Sequence, residues 1–233
     1  MNAISAPPPP PASPATPTAA MLRTLGLVSG ICGLIIVGSY QGTFDAVSAN
    51  KRLAVERSVF RVVPGATSIA AYDAGPGASI APASGAQPAA GARRFFAAYD
   101  AAGKLAGIAA EGSAKGYADN VRVMFGYDPA CECIRGFSVI AMRETPGIGD
   151  QVISNRQFLA NFKALDARLD AGRTVLANRI ITVRHGSKNQ PWQIDAITGA
   201  TITSRAVGKA IDSTAQALLP TLLPNLDQIG KPQ

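Results

Sequence analysis

The stretch "LGLVSGICGLIIVGSY" at positions 25–40 carries no charge and is rich in Leu, Ile, Val and Gly. From Met21 to Phe44 the only charge is Arg23, and the run is about long enough to cross a bilayer core as a helix, which takes about 20 residues. The pattern then changes. In "AVSANKRLAVERSVFRVV" (46–63), apolar and charged residues alternate at helical spacing, with Leu53, Val55, Val59, Phe60 and Val63 on one side. "PGA" at 64–66 stops that helix. A second reading of the same region is open. Arg23, the apolar run and "VSA" at 47–49 also compose a cleavable signal peptide, with the mature chain starting at Asn50.

Shorter periods follow. "RRFFAAYD" (93–100), a turn at "AAGK" and "LAGIAAEG" (105–112) predict a hairpin. In "DNVRVMFGYD" (119–128), Val121, Val123 and Phe125 share one strand face; "PACE" then turns the chain into a strand over 133–144. "ISNRQFLANFKALDARLD" (153–170) places Phe158, Phe162, Leu165 and Leu169 at helical steps and predicts a helix. "RIITVRH" (179–185) and "WQIDAI" (192–197) predict two more strands. A last helix is expected over 203–219, with Val207, Ile211, Thr214 and Leu218 as its packed stripe. Strands in antiparallel hairpins, interrupted by helices, make the fold class α+β: an antiparallel sheet with packed helices, preceded by one transmembrane helix.

Composition changes this picture at two places. Residues 1–20 carry no charge and are dominated by Pro, Ala, Ser and Thr, which predicts a disordered tail. Residues 72–92 are again Ala, Gly, Pro and Ser and read as a low-complexity loop. The net charge of +7 lies almost wholly beyond the apolar run. A basic surface attracts acidic partners, lipid or nucleic acid. With no aromatic-basic alternation, helix-turn-helix pattern or zinc spacing, nucleic acid is not expected as a partner.

The chain has three cysteines and one histidine. Cys32 sits in the apolar run as a small lipid- or core-facing residue. Cys131 and Cys133 form "CEC" at a hairpin tip; free turn thiols are the expectation and a reversible disulfide the alternative. A metal site normally needs more ligands than these supply, so none is expected. His185, at a strand end, reads as a solvated residue without a catalytic role.

"DAITGATITS" (195–204) gathers four hydroxyls, one Gly and one Asp ahead of the last helix. The plain reading is that Thr201, Thr203 or Ser204 caps the helix. Two features add another. Gly199 and Ala200 let backbone approach a ligand closely. A helix N-terminus offers free N–H groups and a positive dipole end to a phosphate. Arg205 in the first turn opposes the dipole unless an anion is bound there. There is no "GxxxxGK[ST]", so a mononucleotide P-loop is excluded.

This stretch resembles the "S/T-G-A-T" motif of the FMN-binding domain in the G subunit of the Rnf electron-transport complex and in its counterpart, the C subunit of the sodium-pumping NADH:quinone reductase. "ETPGIG" (144–149) is similar to that family's second motif, "KGYADNVRVMFGYD" (115–128) to the strand before it, and the similarity covers roughly residues 22–220. The Pro-rich N-terminus, the "PACEC" hairpin and the loop at 72–92 depart from the family.

The resemblance implies one FMN, held through a phosphoester on Thr201 and attached by a dedicated flavin transferase. Thr198, Gly199, Ala200 and Asp195 correspond to the rest of that motif, and Glu144, Thr145 and Gly147 to the segment lining the flavin. Pattern, composition and resemblance together divide the chain into a tail (1–20), a transmembrane helix (21–44), a juxtamembrane helix and linker (45–71), the loop (72–92), an FMN-binding domain (93–220) and a C-terminal tail (221–233). The resemblance further implies a single-pass protein of the bacterial inner membrane, its soluble domain periplasmic. The implied role is one-electron relay among membrane-integral and iron–sulfur subunits of an ion-translocating complex linking ferredoxin to NAD. A stand-alone or accessory flavin carrier, and a non-enzymatic extracytoplasmic binding or scaffold domain, are the other readings. Backbone N–H groups of Thr145–Gly149 are expected to face the flavin ring. No acid/base pair, nucleophile triad or metal cluster suggests a site that transforms a substrate.

Overall fold

The computed structural model describes residues 17–75, 79–85 and 87–229. Residues 1–16 of the tail expected at 1–20, and the last four residues, lie outside them. The chain divides into two compact units, residues 1–50 and 51–233.

In the first unit the apolar run is helical. It belongs to α1 (Thr18–Val62), a single helix over the segments expected as a membrane helix and a juxtamembrane helix. The helix also starts inside the segment expected as tail. Its apolar side chains are exposed on every side, Leu22, Leu27, Ile31, Leu34 and Ile36 among them. Two of its hydroxyls bond its own backbone: Thr24 and Thr43 donate to the carbonyls of Ala20 (3.0 Å) and Ser39 (2.7 Å). Its length and its apolar residues on every side make it a candidate membrane span.

The second unit is built on a seven-stranded antiparallel sheet in the order β2-β1-β3-β4-β5-β6-β7. Its strands are β1 (Ser68–Ala74), β2 (Ile80–Pro82), β3 (Arg93–Tyr99), β4 (Leu105–Lys115), β5 (Asn120–Asp128), β6 (Cys133–Ala141) and β7 (Leu165–Asp166). The α+β class and the hairpins at 93–112 and 120–141 are as expected. The loop expected at 72–92 is corrected in part: Tyr72 and Ala74 are buried in β1, which pairs along its length with β3, and β2 pairs with β1. An Ala-rich strand is legible in the sheet and not in composition, because Ala carries little strand propensity of its own.

The end of α1 covers one sheet face. Val59, Val62 and Val63 bury against Ala98, Ala109 and Met124, while Leu53 and Phe60, expected on the packed side, are exposed. Gly126 and Gly136 pair across β5 and β6, and a Cβ on either would strike the Val62 carbonyl. Absent side chains here let helix and sheet backbones meet.

The other face carries α4 (Thr201–Leu222), which packs on β4 and β5. Val207, Ile211, Thr214 and Leu218 are buried as the spacing predicts. The helix is longer than expected at both ends. Leu222, Leu223 and Ile229 are buried too, so the part of the expected C-terminal tail that is described joins the core. Burial of each such side chain stabilises by about 1.5–3 kcal/mol.

The helix expected over 153–170 is the largest departure. The chain forms α2 (Gln151–Ser154), α3 (Arg156–Ala160) and a 3-10 turn (Asn161–Lys163), then enters β7. Asn155 interrupts the helix and caps α3, its side chain accepting from Gln157 N and Phe158 N at 3.0 Å each. Phe158 and Phe162 pack against Phe137 of β6 (centroids 6.2 and 4.6 Å), and Leu165 then pairs with Ile134 at the sheet edge. The aromatic anchors are those the helical period singled out. Tertiary packing and the Asn155 cap decide the backbone between them.

The strands expected at 179–185 and 192–197 are β8 (Ile181–Val183) and β9 (Gln193–Asp195). They pair parallel in a separate sheet, not as part of an antiparallel array. Cys131 and Cys133 are joined in a disulfide, which corrects the expectation of free thiols.

Candidate functional site

The chain leaves β9 at Asp195 and starts α4 at Thr201. Between them, Gly199 takes φ +85°, a left-handed conformation that suits glycine, and nothing approaches within 4 Å of where its Cβ would stand. Thr198 and Gly199 are exposed; Ala200 is buried. The N-cap is Ala200, which has no group to cap with, and no side chain caps the helix. Ala is among the poorest N-cap residues. The Ser204 N–H is the first to bond back, to Ala200 O at 2.9 Å. The first-turn N–H groups of Thr201, Ile202 and Thr203 therefore precede the helical ladder at the positive end of the helix dipole.

The hydroxyls in this turn have separate uses. Thr203 Oγ1 donates to Glu144 Oε2 at 2.7 Å. Ser204 Oγ is fully buried and accepts from Ile197 N at 3.1 Å, tying the loop to the helix. Capping by Thr203 and Ser204, the plain expectation, is thus not what they do. Thr201 sits at the first helical position, half-buried, and its hydroxyl makes no hydrogen bond among the described residues.

Glu144 draws three separated segments together. Its Oε1 accepts from the N–H groups of Tyr117 (3.0 Å) and Ala118 (3.3 Å), and its Oε2 from Thr203. Gly116 and Gly149 leave room for it: a Cβ on Gly116 would collide with the carboxylate, and one on Gly149 would lie 2.5 Å from Glu144 Cβ. The turn Thr145–Gly149 is held beside this carboxylate. Ile148 N and Gly149 N donate to Thr145 O at 3.2 and 3.0 Å, so these two N–H groups are not aimed outward, contrary to expectation. Gly147 has φ +79°, and its carbonyl accepts from Gln151 Nε2 at 2.8 Å. The three segments expose large apolar side chains: Tyr117 (69%), Ile148 (49%) and Ile202 (51%). Sequence reasoning missed these three; an aromatic or aliphatic residue inside a Gly-rich turn was the signal available.

Asp195 holds the neighbouring loop. Its Oδ1 accepts from Gly186 N at 2.7 Å, and its Oδ2 lies 3.3 Å from His185 Nδ1. His185 is half-exposed and also reaches Ala196 O at 3.1 Å, so it is more engaged than a solvated strand end. Asn161 bonds Asp195 through both backbone groups (3.0 and 3.2 Å) and receives Lys188 Nζ at 3.1 Å. Burial lowers the Lys188 pKa and Asp195 partly restores it. A cleft of about 220 Å³ opens here, lined by Thr198, His185, Asp195, Asn155 and Gln157.

An uncapped helix start, a left-handed glycine, a free first-turn hydroxyl and exposed apolar side chains fit a phosphate-bearing cofactor with a flat ring. Residues 116–216 match the FMN-binding domain family, and they contain all of these features. The site described above thus lies within the segment that is similar to this domain.

The chain is 34% identical over 117 residues to the G subunit of an ion-translocating oxidoreductase complex from Aliivibrio fischeri (strain MJ11), covering 47% of this chain and 48% of that one. It is 26% identical over 197 residues to the G subunit of a proton-translocating ferredoxin:NAD(+) oxidoreductase complex from Clostridium ljungdahlii, covering 84% and 89%. The first match thus spans about half of its relative's length. The crystal structure of Shewanella oneidensis NqrC shares the fold, with TM-score 0.61, 21% identity, and coverage of 78% of this chain and 98% of that one. The chain is thus similar to G subunits of ion-translocating oxidoreductase complexes and shares the fold of NqrC.

Proposed function

We propose that this chain is a membrane-anchored flavoprotein subunit that carries one FMN, linked through its phosphate to Thr201, and relays electrons within an Rnf-type complex that couples ferredoxin/NAD electron transfer to ion translocation. The two curated relatives named above are G subunits of ion-translocating oxidoreductase complexes, one of them a ferredoxin:NAD(+) oxidoreductase, which supports the redox role. The observation that carries the attachment is the division of labour among hydroxyls. Thr203 and Ser204 are committed to Glu144 and Ile197, and Thr201 is left at an uncapped helix start.

FMN supplies the electron-carrying chemistry when bound. The chain's own residues position it. First-turn N–H groups of α4 and the exposed Gly199 backbone receive the phosphate. Glu144 keeps the Thr145–Gly149 turn against the start of α4. Tyr117, Ile148 and Ile202 offer apolar surface to a ring and exclude water from its face. A covalent link keeps the cofactor loaded on the periplasmic side, which the proposed topology assigns to this domain and where free flavin is scarce. A dedicated flavin transferase makes the link, and membrane-integral and iron–sulfur subunits exchange electrons with it.

Co-expression with a flavin transferase, followed by ultraviolet illumination of a denaturing gel, tests the cofactor. A yellow-green fluorescent band is expected, and a dark band overturns the covalent flavin. Co-purification of membrane-integral and iron–sulfur subunits with the tagged chain tests the complex. Isolation of a fluorescent chain alone replaces this reading with that of a stand-alone carrier.

A further inference from the structure

The Cys131–Cys133 disulfide has no part in the site above, and its setting is unlike that of a structural staple. The stabilisation a disulfide gives grows with the length of the loop it closes, and this one closes a loop over a single residue, Glu132. The hairpin is already held without it. Asp128 Oδ1 accepts from Ala130 N at 2.8 Å, and Asp128 Oδ2 pairs with Arg135 at 3.0 Å. Cys133 pairs with Asp128 and Asp166 in the sheet, and Glu132 O accepts from Ala167 N at 3.1 Å.

The two sulfurs also differ in access, and the turn between them is strained. Cys131 is exposed at the tip, whereas Cys133 is buried in β6. Glu132 between them holds φ +49°, a left-handed conformation that a residue with a side chain adopts at a cost. The Cys131 Sγ lies 3.7 Å from Asp128 O, so a thiol formed there finds an acceptor in place. Exposed or strained disulfides are the labile ones in exchange chemistry.

We propose that Cys131–Cys133 is a second redox centre, a dithiol/disulfide exchange site that accepts two electrons from a thioredoxin-type dithiol protein. A thiolate of the donor attacks Cys131 Sγ. The S–S bond breaks, and its electron pair leaves on Cys133 Sγ, which takes a proton. The donor's second thiolate then attacks its own sulfur in the mixed disulfide and releases Cys131, which is protonated in turn. The donor ends as a disulfide and this chain as a dithiol. The reaction neither uses nor requires the flavin.

The test uses the full-length, detergent-solubilised protein. It is treated with reduced thioredoxin, quenched in acid, labelled with N-ethylmaleimide and digested with trypsin, which releases both cysteines in peptide 123–135. Without reductant the peptide is expected unlabelled; after thioredoxin it gains two labels, with the far-UV circular dichroism and thermal midpoint unchanged. In single variants, the Cys131 thiol of C133S is expected to react with iodoacetamide at least about tenfold faster than the Cys133 thiol of C131S. Labelling before any reductant, resistance to thioredoxin until guanidinium unfolds the domain, or melting of the domain on reduction would each overturn the proposal.

Discussion

The Thr203 hydroxyl donates to Glu144 Oε2 across 2.7 Å and joins residues 59 apart in the chain. This bond fastens the first turn of α4 to the Thr145–Gly149 turn, and through Glu144 Oε1 to the backbone at Tyr117 and Ala118. Glu144→Ala removes the acceptor for three donors and is expected to destabilise the fold by about 1–3 kcal/mol. Thr203→Val is expected to cost less. In a double-mutant cycle followed by chemical denaturation, the two losses should fall short of additive; additive losses would mean the pair is not coupled.

Thr201→Ala is expected to abolish the fluorescent band after co-expression with a flavin transferase. Thr203→Val is expected to keep it, at a lowered unfolding midpoint. Fluorescence retained in Thr201→Ala would move the attachment point to another hydroxyl.

Asp212 is buried on α4 and accepts from Ile180 N at 2.9 Å and from Arg179 Nη2 at 2.5 Å. Asp212→Ala leaves the buried Ile180 N–H without its partner, and a loss of about 2–4 kcal/mol is expected. Arg179→Ala is expected to cost much less, because its side chain is 72% exposed. Urea midpoints of the two variants measure the contrast.

Gly136→Ala places a methyl group against the Val62 carbonyl. The end of α1 must shift off β5 and β6, with an expected cost of about 1–3 kcal/mol. Hydrogen exchange of residues 55–63 should rise in this variant. Unchanged protection there would show that the close approach is dispensable.

Asp170 titrates below its ordinary value of 3.8, because backbone N–H groups of Thr174 and Val175 bond its charged form. A carboxylate with a lowered pKa contributes its stabilisation above pH 3.8 and loses it as pH falls through the folded value. The turn at 170–175 is therefore expected to loosen in strong acid, first seen as faster exchange of the Thr174 amide. Exchange independent of acid protonation would refute the link.

Local pattern carried much of this protein. The apolar run gave a helix because every face is apolar. Val121, Val123 and Phe125 share the sheet face under α4, and Val207, Ile211, Thr214 and Leu218 lie on one stripe because α4 packs on that face. The grouping of "TGAT" ahead of a helix and "ETPGIG" upstream was legible as motifs. Their meeting was not, since no spacing connects Glu144 with Thr203. The break at Asn155 was hidden because Phe158, Phe162 and Leu165 keep a helical period whether or not the backbone does.

The sequence by itself determined the elements whose apolar pattern is regular or continuous: the candidate membrane span, the central strands and α4. Tertiary structure alone decided three matters. It drew the Ala-rich β1 into the sheet through backbone pairing that requires no apolar side-chain pattern. It ended the expected 153–170 helix by pairing Leu165 with Ile134. It also gave each hydroxyl of the helix start a separate role, because what a hydroxyl does depends on which donor or acceptor folding brings within about 3 Å.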